Sequence, residues 1–384
     1  MMERIRVVLL LTRPGLLVVF GLFAATGLAQ VGASEDLVLL VPVLVVVVAF
    51  MLSCVALNDL ADRAIDEVNL AGDRSRPLVT AGATEREFLA IAAIAGVVAI
   101  VVGAFLSPLV AVTVTAGLVF SVSYSLRPVR IAERGALASL LLPFGYVAVP
   151  YLTGTLSVRN GLTAADLSLG AALYVGFIGR ILLKDFRDLR GDSLFGKRTF
   201  LVRHGRRWTC FFSGVFWAAG TGMLAGQPGV SWPVLAAYAA YCAVAVGLLA
   251  ALSHDRGPRR DERLIAATAL IGRGTVLTAL AQLSLADQGS SAVTGAVVIL
   301  GLAIVTLGSA RTMALAGPTT RAGVSLVPGG RLVSTRAPAT PLAAIDAPDA
   351  RTGGCARVKV DDFGSDVEFR GGLDRVGVHR DGRS

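Results

Sequence analysis

The chain has 384 residues, of which 54% are hydrophobic and only 16% charged, with a net charge of +9 and a mean hydropathy of +0.69. Soluble domains carry about 25% charged and about 45–50% apolar residues, so these values do not fit a soluble protein with a single core. The four cysteines, Cys54, Cys210, Cys242 and Cys355, show no CxxC or Cys/His spacing, which argues against a zinc site and leaves thiols that pack.

In chain order, the opening stretch Met1 to Gly15 has a basic start and a short apolar run, much like a secretory signal. Arg13 and Pro14 interrupt that run, and the apolar run after them is long enough to span a membrane, so an uncleaved first helix is expected. Four blocks then carry no charge: Leu37 to Leu57, Phe88 to Leu126, Gly135 to Val158 and Trp208 to Ser253. About 18 or more uncharged apolar residues read as a membrane-spanning helix, because some 20 residues at a 1.5 Å rise cross the hydrocarbon. Punctuation by Gly, Pro and charge predicts ten helices, near 14–31, 37–57, 86–106, 109–124, 136–155, 167–184, 208–226, 232–252, 264–286 and 292–315. The long blocks divide at Ser107-Pro108 and between Gly226 and Pro233. The expected fold is an all-α polytopic membrane protein, a bundle of nine or ten transmembrane helices in which two four-helix halves surround a central cavity. It occupies residues 1–316. From Gly317 to Ser384 the composition lacks the apolar content that offsets ordering entropy, which predicts a disordered cytoplasmic tail.

The distribution of basic residues tests this layout. With the N-terminus inside, 22 basic residues of the loops and N-terminus fall on one face and a single one, Arg159, on the other. The positive-inside rule makes the first face cytoplasmic. A multi-pass protein of the cell membrane is expected, with its site opening to the cytoplasm and with no nucleic-acid partner.

Two segments on that face differ from ordinary basic loops. One reads Asn58-Asp59-Leu60-Ala61-Asp62-Arg63-Ala64-Ile65-Asp66, the other Lys184-Asp185-Phe186-Arg187-Asp188-Leu189-Arg190-Gly191-Asp192. Both contain D-x2-D-x3-D, and positions i, i+3 and i+7 share one helix face. Like charges stacked this way repel mildly, and a divalent cation reverses the sign. Mg²⁺ takes one or two carboxylates and completes its shell with water and substrate phosphate. The segments lie 126 residues and four helices apart, as in a duplicated four-helix unit whose acidic ends face each other across a cavity. Such a pair suits a diphosphate bridged by Mg²⁺. Arg63, Arg74 and Arg76 follow the first segment, and Lys184, Arg187, Arg190, Lys197 and Arg198 surround the second. Arginine meets phosphate oxygens as a fork and lysine as a point charge.

Asn58-Asp59-x2-Asp62-x3-Asp66 followed by Asp73-Arg74-x-Arg76-Pro77-Leu78 resembles the first signature of the UbiA family of intramembrane prenyltransferases. Lys184-Asp185-x2-Asp188-x2-Gly191-Asp192 and then Gly196-Lys197-Arg198-Thr199 resemble the second. Arg13-Pro14 and Tyr124-Ser125-x2-Pro128-x-Arg130 are lesser matches. The resemblance implies a helical bundle with a lateral opening to lipid, in which a prenyl diphosphate is ionised with Mg²⁺ and its allylic carbon is transferred to a small-molecule acceptor. An aromatic ring is the family's most frequent acceptor. It further implies that Asn58, Asp62, Asp66, Asp188 and Asp192 bind or support the metal, with Asp59 and Asp185 in the same acidic shell. Arg74, Arg130 and Lys184 become diphosphate contacts, joined by Lys197 from the basic flank. Tyr124 would stand near the allylic end, where its ring stabilises a developing cation. A terpene cyclase of the same family would use the same ionisation. A cation-coupled transporter is the more distant alternative, since mid-helix charges are nearly absent apart from Arg273.

Overall fold

The structure is a computed structural model describing residues 2–69, 77–80, 82–186, 194 and 197–317. Its elements are α1 Met2–Leu11, α2 Pro14–Gln30, α3 Leu37–Ala61, α4 Arg63–Asn69, α5 Glu85–Leu106, α6 Pro108–Ser125, α7 Ala136–Leu141, α8 Val149–Leu156, α9 Ala164–Ile181, α10 Phe200–Ala225, α11 Trp232–Leu252, α12 Pro258–Asp287 and α13 Ala292–Ala316. Among the described residues there is no strand, and eight helical segments are long and apolar enough to cross a membrane. The other two expected spans are also helical. α2 is apolar but short, and α10 carries Arg203, Arg206 and Arg207 in its first turns. The protein is an all-helical, multi-pass membrane protein. The tail expected beyond Gly317 lies outside the described residues.

The helix starts follow from local chemistry. Thr84 and Glu87 form a reciprocal capping box at α5, and Thr163 and Asp166 form one at α9. Each box satisfies amide groups that a first turn leaves without partners. Ser107 accepts from the Leu109 amide while Pro108 begins α6, so the uncharged block divides where the sequence indicates. Between α7 and α8 the fifth span widens to a π turn over Phe144–Ala148. Pro150, in the first turn of α8, has no amide to continue the regular i→i−4 ladder.

Two large apolar cores build the bundle, with a smaller third around Tyr124, Ile131 and Leu142. One, around Phe20, Val46, Phe50, Phe88 and Val110, belongs to the first helices. The other, around Tyr151, Trp217, Tyr241 and Ile271, belongs to the later ones. α2 and α8 join them by a reciprocal close approach. A Cβ on Gly27 would meet the Tyr151 carbonyl oxygen, and a Cβ on Gly154 would meet the Ala24 carbonyl oxygen. In lipid, helices associate through such close packing rather than through a hydrophobic driving force. The same device recurs where Gly176 of α9 meets Gly220 of α10. Polar side chains also cross between helices: Ser53 Oγ donates to the Ala92 carbonyl at 2.8 Å, and Ser213 Oγ to the Gly179 carbonyl at 2.7 Å.

Candidate active site

α3 runs four residues past its predicted end, so Asn58 and Asp59 lie in its last turn. The helix breaks at Asp62, yet the Asp62 amide donates to the Asn58 carbonyl at 2.9 Å and the Asp66 amide to the Asp62 carbonyl at 2.8 Å. The helical register therefore continues into α4, and Asp59, Asp62 and Asp66 keep the spacing of one face. Asp59 and Asp66 are buried. Arg63 turns outward, bonded to Glu67 at 3.1 Å and to Glu85 at 2.6 Å. Those bonds, the one to Glu85 foremost, raise its pKa and tether α4 to the start of α5.

Among the described residues, Arg13, Arg130 and Lys197 hold the first acidic segment. Arg13 Nη2 reaches both carboxylate oxygens of Asp59 at 2.6 Å. Arg130 Nη2 donates to Asp62 Oδ1 at 3.0 Å and to the Ala61 carbonyl at 3.2 Å, while its Nε lies 3.1 Å from Glu133. Lys197 Nζ lies 3.6 Å from Asp62 Oδ2 and is itself buried. Lys197 flanks the second segment, 135 positions along the chain, so the first segment and the flank of the second meet at Asp62. Arg13 and Arg130 share a second feature. Both have positive φ, 40° and 35°, a conformation that costs an L-residue about 1–2 kcal/mol.

Beside this cluster, Lys184 Nζ donates to the Tyr124 hydroxyl at 3.4 Å and lies 5.9 Å from the ring centroid. It also stands 3.7 Å from Asp185 Oδ1, and Asp185 is buried. Burial works against the Lys184 ammonium, but Tyr124, Asp185 and Tyr146 more than offset this and raise its pKa. Tyr124 packs with Phe120 at 5.8 Å between centroids. Rings continue inward from there: Phe120 on Phe144 at 5.3 Å, Tyr146 on Phe177 at 5.7 Å and on Phe20 at 5.2 Å. The result is a polar mouth bordered by an aromatic wall.

Of the residues singled out in the sequence, Asn58, Asp59, Asp62 and Asp66 lie in one helical run, Arg130 and Lys197 meet them at Asp62, and Lys184 and Asp185 stand by Tyr124. Arg74, Asp188 and Asp192 lie outside the described residues. Sequence reasoning gave Arg13 no role at Asp59 and did not point to Phe120, Tyr146 or Phe177. Its one signal for Arg13 was the Arg13-Pro14 match, and the ring residues are spread over several helices with no shared spacing. Among the described residues, no three His, Cys, Asp or Glu side chains converge tightly enough to form a metal cage on their own. The donor chemistry still fits Mg²⁺, which takes few carboxylates and completes its shell from water and phosphate.

Comparison with known proteins identifies the family and the fold. The UbiA prenyltransferase family pattern matches residues 17–272. A bacteriochlorophyll synthase 34 kDa chain from Chloroflexus aurantiacus is 28% identical over 149 residues, 39% of this chain and 47% of that one. A digeranylgeranylglyceryl phosphate synthase from Methanoculleus marisnigri is 31% identical over 210 residues, 53% of this chain and 70% of that one. The chain spans about half the length of the bacteriochlorophyll synthases it matches. Among solved structures, a digeranylgeranylglyceryl phosphate synthase superposes with a TM-score of 0.56 at 17% identity, over 73% of this chain and 99% of that one. A UbiA homologue from Archaeoglobus fulgidus bound to GPP and Mg²⁺ superposes with a TM-score of 0.53 at 16% identity, over 72% and 99%. At such identities the structures speak for the fold, while the family pattern covers well over half of the sequence. The chain belongs to the UbiA prenyltransferase family.

Proposed function

We propose that this protein transfers an isoprenyl group from a prenyl diphosphate to a small-molecule acceptor within the membrane, in a Mg²⁺-dependent reaction. The observation that carries the reading is the meeting of Lys197 and Arg130 on Asp62. It supports the reading because it brings two cations of the kind that take phosphate to a carboxylate of the kind that takes Mg²⁺. The first segment's share of the metal shell would come from Asp59, Asp62 and Asp66, supported by Asn58, and the second's from Asp185, Asp188 and Asp192. Bound there, Mg²⁺ would supply positive charge to the diphosphate as it leaves.

The chain's own residues do the rest. Arg130, Lys184 and Lys197, with Arg74, take the phosphate oxygens by charge-assisted hydrogen bonds. The C–O bond to the allylic carbon breaks, and the diphosphate keeps the electron pair. Tyr124 faces the cation through its ring, and Phe120 stands behind it. Apolar helices exclude water that would trap the cation and accommodate the isoprenoid tail. A diphosphate does not cross hydrocarbon cheaply, so the polar mouth opens to the cytoplasm, on the face rich in basic residues.

The test is turnover of labelled prenyl diphosphates of several lengths, with Mg²⁺ and an acceptor panel led by aromatic compounds. The relatives' names add bacteriochlorophyll and glyceryl phosphate precursors to that panel. Asp62→Asn should lower turnover by about 100-fold or more, as expected when charge stabilisation of a transition state is removed. Turnover that persists in Asp62→Asn, or in excess chelator, would overturn the reading. The mass of the product separates transfer from cyclisation.

A further inference from the structure

A polar groove lies away from the candidate active site, where α10 begins and the α11–α12 connection passes. Its volume is about 690 Å³, and it is lined by His204 to Trp208 and by Ser253 to Arg256. The lining sets three arginines and two histidines against one carboxylate, Asp255. None of the residues assigned to the candidate active site takes part.

The cavity has a fixed wall and free cations. Gly205, at φ 76°, kinks the start of α10. Arg206 then turns inward, donating to the Leu252 carbonyl at 2.8 Å and to Asp261 at 2.5 Å, and stacking 5.1 Å from the Phe186 ring centroid. Arg206 Nη2 also stands 3.6 Å from Asp255, the carboxylate of the lining, whereas Arg207 and Arg256 make no hydrogen bond or ion pair among the described residues and are exposed. Directly beside them is a cluster of exposed rings. Trp208 and Phe211 are 57% and 58% exposed, and Trp208, Phe211 and Phe212 lie within 5.5–6.0 Å of one another, centroid to centroid. Aromatic rings of this kind sit at the headgroup level of a bilayer, where one side is apolar and the other wet.

We propose that this groove binds the phosphate headgroup of an anionic membrane phospholipid, held by Arg207 and Arg256, with the acyl chains against Trp208, Phe211 and Phe212. Basic pockets between transmembrane helices suit such headgroups. A dissolved anion would use the arginines but has no use for the adjoining rings, and beyond the rings α10 goes on exposing apolar side chains, Val215 among them.

The test is native mass spectrometry of the detergent-purified protein titrated with phosphatidylglycerol or with phosphatidylcholine of the same chains. The wild type should bind phosphatidylglycerol saturably and in preference. Arg207→Gln with Arg256→Gln should weaken that binding by about 30-fold and leave phosphatidylcholine unchanged. Arg86→Gln with Arg259→Gln removes the same charge from exposed positions outside the groove and should leave the preference intact. Millimolar inorganic phosphate should not displace the lipid. An unchanged preference in the groove variant, an equal loss in the control variant, or displacement by phosphate would each overturn the proposal. None of these readouts depends on prenyl transfer.

Discussion

Arg13 and Asp59 show how much of the candidate site rests on single contacts. The Asp59 side chain is 5% exposed and that of Arg13 is 28%, so the carboxylate has left water and the guanidinium only partly has. Breaking a buried pair costs about 3–5 kcal/mol where it leaves an uncompensated charge. Asp59 has further interactions and Arg13 is partly exposed, which together discount this to about 1–3 kcal/mol. Arg13→Ala should lower the thermal midpoint accordingly and reduce turnover, since Asp59 loses the guanidinium nitrogen that bridges its two oxygens. Arg13→Lys should recover part of the stability, because an ammonium restores the charge but not the planar, fixed geometry of the guanidinium. A midpoint unchanged in Arg13→Ala would mean that the pair holds nothing. The acidic residues themselves were legible in the sequence, because D-x2-D-x3-D has meaning on a helix face wherever it occurs. The Arg13–Asp59 pair was not. Its partners lie 46 positions apart, and only the packing of α2 on α3 brings them together.

At the scale of helices, α2 and α8 depend on glycine in both directions. The atoms that a Cβ at Gly27 or Gly154 would strike are backbone carbonyls of the facing helix, which cannot rotate away as a side chain can. Gly27→Ala should therefore destabilise by about 1–3 kcal/mol or more, the range for overpacked interiors. Gly301→Ala serves as its control. A Cβ there meets nothing within 4 Å, and alanine is the better helix former by about 1 kcal/mol. Thermal unfolding in detergent should thus rank Gly301→Ala at or above the wild type and Gly27→Ala well below it. Equal midpoints would rule out the close approach. Charge-free blocks and Ser-Pro punctuation made the spans legible, including the division at Ser107-Pro108. The π turn over Phe144–Ala148 and the kink at Gly205 were not legible, because each depends on backbone geometry that a hydropathy pattern does not record. α10 consequently begins eight residues earlier than its uncharged block suggests.

For the whole molecule, the helix sequence and the basic residues make a joint statement about orientation. With every span crossing, the connections after α3, α6, α9 and α11 are expected on one face and those after α2, α5, α8, α10 and α12 on the other. The first face would then take the acidic segments and 22 basic residues of the loops and N-terminus, whereas Arg159 would stand alone opposite. So lopsided a division would not survive the loss or addition of one span in the middle of the chain, since every later loop would change sides. The cytoplasmic orientation proposed above can be read from two single cysteines in a background without the four native ones. Val129, between α6 and α7, is 41% exposed on the acidic face, and Asn160, between α8 and α9, is exposed on the other. In intact cells an impermeant thiol reagent should label Asn160→Cys, and it should label Val129→Cys only after permeabilisation. The reverse pattern would place the acidic mouth outside, away from the cytoplasm from which a charged diphosphate is expected to arrive. Labelling of both in intact cells would break the alternation of spans on which the two-sided layout depends.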